Sequence, residues 1–74
     1  MLNREKERIN MWIVVYLAKG RNAVVEMRKL LESKGILVMM RRKTADSDEN
    51  EAFYEILVPQ TEVEAAQDII IEEK

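Results

Sequence analysis

The chain has no cysteine and no histidine. Without cysteine there can be neither a disulfide framework nor a thiolate metal site. Without histidine the usual pH switch, the commonest general base and the commonest metal ligand are all missing. Glycine occurs twice and proline once in 74 residues. The longest apolar runs are about seven residues, far short of the roughly 20 that span a bilayer. The opening MLNREKERIN carries charges where a signal peptide has its apolar core. These absences predict a cytoplasmic protein with no membrane span, no metal and no other cofactor. Carboxylates, lysines, tyrosines and a few hydroxyls are left for chemistry. They assemble into no nucleophile–base pair and no metal set, so an enzyme is not expected.

A chain of this length makes one domain at most. Its buried fraction is modest and its stability margin thin, and oligomerisation is a common remedy at this size. The net charge of −2 conceals a split. Residues 1–43 hold eleven Lys/Arg against four Asp/Glu, or +7, and residues 44–74 hold Lys74 against ten acids, or −9. A fold that interleaves the halves neutralises them, and a fold that segregates them makes a basic and an acidic side.

Residues 1–10 are polar, with Arg4–Glu7 and Glu5–Arg8 at helical spacing but too little apolar surface to hold a helix down. A flexible segment is expected there, with Met11 as an alternative functional start. The organised domain spans residues 11–72. Its first strand, residues 12–18 (WIVVYLA), is β-branched and aromatic and apolar on both parities. Lys19-Gly20-Arg21 breaks it, and Asn22 is the expected N-cap of a helix carrying Val24, Met27, Leu30 and Leu31. Gly35 is the expected stop.

Residues 36–43 read as a second strand and residues 53–58 as a third, ended by Pro59. Glu55 sets the orientation of the third. An unpaired buried carboxylate is costly, so Phe53, Glu55 and Leu57 should face away from the helices, and Tyr54, Ile56 and Val58 toward them. Pairing Arg41 with Glu55 also pairs Met40 with Ile56 and Val38 with Val58, so opposite charges share one face and apolar groups the other. Thr61-Glu62-Val63-Glu64 fits a capping box opening a second helix with Val63, Ala66 and Ile70 on its buried stripe.

This βαββα order predicts an α+β, ferredoxin-like domain: a three-stranded antiparallel sheet in the order 1-3-2, with both helices on one face. Without the usual fourth strand, the first strand is an open edge. The opposite sheet face carries apolar groups, which usually mark an interaction site. The expected interface residues are Trp12, Val14, Tyr16, Leu37, Met39, Phe53 and Leu57. Trp12, Val14 and Tyr16 share one parity and face outward in this reading, leaving Ile13, Val15 and Leu17 to the core.

The run Trp12-Ile13-Val14-Val15-Tyr16-Leu17-Ala18, the helix end Leu30-Leu31-Glu32-Ser33-Lys34-Gly35-Ile36 and Tyr54-Glu55-Ile56-Leu57-Val58-Pro59 resemble a family of small bacterial proteins described as prokaryotic signal-transducing and PII-like (GlnB-like). The resemblance covers about residues 11–72 and implies a ferredoxin-like fold and, by analogy with PII, a role in signal transduction. It carries over no ligand residues. The hairpin connection is short where PII proteins have a long exposed loop.

Three polar clusters compete with the sheet face. Asp46, Asp48 and Asn50 have the spacing that opens a calcium-binding EF-hand loop. The pattern fails at Glu51, where glycine is needed, and at Leu57, where glutamate is needed. A solvated hairpin tip is the expectation. Arg41-Arg42-Lys43 with Phe53 faintly suggests an RNA-binding sheet, but the paired aromatics are missing and the chain is net acidic, so nucleic acid is not the expected partner. Lys19, Arg21 and Asn22 precede a helix N-terminus and form a candidate anion or small-ligand site without a phosphate-loop motif. The leading expectation is a non-enzymatic regulatory or interaction domain that self-associates or binds a protein partner through its sheet face or open edge. The alternatives are a PII- or ACT-like sensor with an inter-subunit site near Lys19–Asn22 and, third, a weak RNA-binding module.

Overall fold

The computed structural model describes residues 11–44 and 48–73. The expected flexible segment 1–10 and Asp46 lie outside the described residues. The chain forms β1 (Trp12–Lys19), α1 (Arg21–Ser33), β2 (Met39–Arg42), β3 (Phe53–Pro59), a 3-10 turn (Gln60–Glu62) and α2 (Val63–Glu73). The sheet is antiparallel throughout, in the order β1-β3-β2. With two helices, this is the α+β arrangement expected, and it is consistent with a ferredoxin-like fold. Among the described residues no helix is long and apolar enough to cross a membrane.

The core forms where the helices meet one face of β3. Val24 and Leu31 of α1, Ala66 and Ile70 of α2, and Tyr54, Ile56 and Val58 of β3 are buried together with Ile36 and Ala52. Each fully buried aliphatic side chain contributes roughly 1.5–3 kcal/mol. Tyr54, Ile56 and Val58 therefore face the helices, as the position of Glu55 required. Arg41 lies opposite Glu55 and Met40 opposite Ile56, in the expected register.

Four local details differ from expectation. The N-cap of α1 is Gly20, not Asn22, which is the helix's second residue. Gly20 adopts φ 92°, ψ 139°, and its N–H donates to Ala52 O at 2.8 Å. A Cβ there would stand 3.3 Å from Asn50 O. Only glycine holds that backbone without strain, and the cap position follows from it. At the other end of α1 the expected stop is present. Gly35 (φ 87°) donates to Glu32 O at 3.0 Å and Ile36 to Leu31 O at 3.1 Å, a Schellman motif with buried Ile36 against buried Leu31.

That cap shortens the second strand. Ile36 spends its N–H on Leu31 and turns into the core, so the ladder begins at Met39, and Val38 makes no strand pair with Val58. Thr61 lies within the 3-10 turn capped by Pro59, without a side-chain cap bond there. The chain thus turns helically before the expected capping box, directly after the proline. The fourth difference, a bulge in β1, decides the character of the open sheet face.

Candidate interaction face

β1 and β3 pair from Trp12↔Pro59 to Val14↔Leu57, and again from Tyr16↔Ile56 to Lys19↔Phe53, with Val15 as the extra residue. A bulge restarts the alternation one residue late. Before it, Trp12 and Val14 stand on the face away from the helices. After it, Leu17 and Lys19 do. Tyr16 stands with Ile56 on the helix side and packs against the core beside Val15 and Ala18. The expectation that Tyr16 joins Trp12 and Val14 on the outer face is therefore corrected. So is the placing of Leu17 in the core: it is 51% exposed. Sequence reasoning missed Leu17 because a strand apolar on both parities carries no sign of where the alternation slips.

The open face reads as rows across β1, β3 and β2. Val14, Leu57 and Met39 form one row, and Leu17, Glu55 and Arg41 the next. Lys19, Phe53 and Lys43 follow, Lys43 N–H donating to Phe53 O at 2.8 Å. Val14, Leu17, Met39 and Phe53 are exposed, as is Leu37, which is 62% exposed just before β2. Leu57 differs: at 3% exposure it is walled in by Val14 and Met39 on the flanking strands. It is the floor of the patch, not part of its exposed surface.

Glu55 lies at the centre of this face and is only 8% exposed. Its Oε1 accepts from Arg41 Nε at 3.0 Å and faces Nη2 at 2.9 Å, and Lys43 Nζ stands 3.7 Å from Oε2. Two cations on one carboxylate leave the centre net positive, ringed by apolar side chains. Such a surface can exclude water around a partner's apolar group and meet an acidic group at its middle.

The remaining candidate groups lie at the start of α1, in the hairpin and at the end of β2. Residues 48–52 fold over the start of α1. Gly20 N–H and Arg21 N–H donate to Ala52 O and Glu49 O, and Lys19 Nζ is 3.3 Å from Glu51 Oε1. Asn22 makes no cap bond. Asp48 Oδ1 accepts from the N–H groups of Asn50 and Glu51, at 2.9 and 3.0 Å, which makes it a turn-former. Among the described residues no group of three metal-ligating side chains gathers. Arg42 points to the helix side, 6.0 Å from the Tyr54 ring centre, and Arg41 and Lys43 are engaged by Glu55. A groove of about 430 Å³ between the helices is lined by Tyr16, Ala23, Glu26, Met27, Leu30 and Glu73. No family model, no curated protein and no solved structure matches this chain.

Proposed function

We propose that this chain is a non-enzymatic interaction domain, regulatory in kind, whose working surface is the open sheet face. One observation carries the reading. Val14, Leu17, Leu37, Met39 and Phe53 are exposed around a buried floor, Leu57, on the side that neither helix covers. A contiguous apolar patch is a cost in solution unless something covers it. The Arg41–Glu55–Lys43 cluster supplies a fixed, net-positive centre that orients an acidic partner group within the patch.

Capture experiments test this. Leu37→Lys combined with Phe53→Lys changes two exposed side chains, one before β2 and one at the start of β3, and none on β1 itself, so the fold should survive. Immobilised wild-type chain is expected to retain a partner from native extract, and the double variant to lose it. Lys29→Ala, on the exposed side of α1, should retain it. A partner that binds the double variant as well as the wild type would place the working surface elsewhere.

A further inference from the structure

β1 is the long edge of the sheet, and the two edges are treated differently. The β2 edge has four residues, two of them arginine. Short length and charge are the usual protections of an exposed edge. The β1 edge has eight residues (WIVVYLAK), no proline, and one charge, at its end. No strand pairs with its outer side among the described residues. Beside it, Val15, Gln67, Ile70 and Ile71 line a groove of about 420 Å³ between β1 and α2. Ile71 is 68% exposed, an apolar helix side chain at the mouth of that groove.

We infer that β1 pairs antiparallel with β1 of a second copy, about a two-fold axis between Val15 and Tyr16, making one continuous six-stranded sheet. The bulge makes the strand self-complementary. In this register Val14 lies opposite Leu17 of the second copy, Trp12 opposite Lys19, and Ile13 opposite Ala18. The Val15 insertion has put Trp12, Val14, Leu17 and Lys19 on one face and Ile13, Tyr16 and Ala18 on the other. Each of these three pairs is therefore matched by face. With regular alternation, positions 14 and 17 fall on opposite faces and this register fails.

Charge selects the same direction. A parallel arrangement sets Lys19 beside Lys19 of the second copy, which is repulsive. The antiparallel one sets each Lys19 beside the indole of Trp12, whose strand partner Pro59 leads into the 3-10 turn with Glu62 and then α2 with Glu64. Val15 lies at the axis and shares its groove with Ile71, so the two Ile71 side chains meet over the centre of the new sheet. The pairing also joins the two open faces, Val14 and Leu17 of one copy adjoining those of the other. The dimer uses an edge and the proposed partner surface uses a face, so each stands or falls separately.

Cysteine cross-linking in the full chain tests the register, since the native sequence has no cysteine to interfere. Opposed residues in an antiparallel pair have Cα atoms about 4.5–5.5 Å apart, within disulfide reach. Val14→Cys mixed with Leu17→Cys is expected to give a covalent dimer under mild oxidation. Either variant alone places its thiols about 10 Å apart along the strands and should give little. Light scattering is expected to find a dimer of the wild type, at least a tenfold weaker one for Ile71→Lys, and an unchanged one for Leu37→Lys with Phe53→Lys. Circular dichroism confirms that each variant is folded. A wild type that stays monomeric at high concentration overturns the inference. So does equal cross-linking by the single variants, or a dimer lost only in the face variant.

Discussion

Replacing Arg41 by alanine removes the two nitrogens that hold Glu55 Oε1 and leaves a nearly buried carboxylate with Lys43 alone, 3.7 Å from its other oxygen. The expected loss is about 1–3 kcal/mol, read as a lower midpoint in urea at unchanged slope. Lys29→Ala, exposed on α1, should stay within about 0.5 kcal/mol. A loss at Arg41 no larger than at Lys29 would mean that the ion cluster is ornamental. The pairing was legible in the sequence because charge and hydrophobicity agreed on one register: Arg41 with Glu55 and Met40 with Ile56. That Glu55 would be buried on the outer face was not legible. A central-strand residue is covered by its neighbours on both sides, as Leu57 is too, and alternation alone does not report that.

Elements were legible in kind and less so at their ends. Gly35 stops α1 as expected because the Schellman motif needs a residue at positive φ. The start of α1 was misplaced because Asn22 is a good cap by type, whereas Gly20 is the cap by backbone angle. Gly20→Ala forces a side chain into that conformation and toward Asn50 O, and is expected to cost about 1–3 kcal/mol in a denaturation curve. A neutral result would show that the turn relaxes freely. The β1 bulge had no sequence signal at all: WIVVYLA is apolar in either phase, so Tyr16 and Leu17 exchanged faces unseen. The candidate face kept Trp12, Val14, Leu37, Met39 and Phe53, gained Leu17, lost Tyr16, and retained Leu57 only as its floor.

At the scale of the whole molecule, a small core faces one side of a three-stranded sheet, and among the described residues neither helix covers the other side. Charge segregation adds to the asymmetry. Four acids of the second half, Glu64, Asp68, Glu72 and Glu73, lie on α2, while Arg41 and Lys43 sit on the open face with Glu55 between them. In the proposed reading the edge and the face are two separate interaction surfaces. Hydroxyl-radical footprinting reads the face directly, because Trp12, Met39 and Phe53 lie on it and are reactive side chains. Met27, on α1 against the helix groove, is an internal control for dose. The chain is oxidised once purified and dilute, and once in native extract, and the peptides are compared. Protection of Met39, Phe53 and Trp12 is expected in the extract, with Met27 unchanged. Equal oxidation of the face in both settings, or protection confined to Met27, would contradict it.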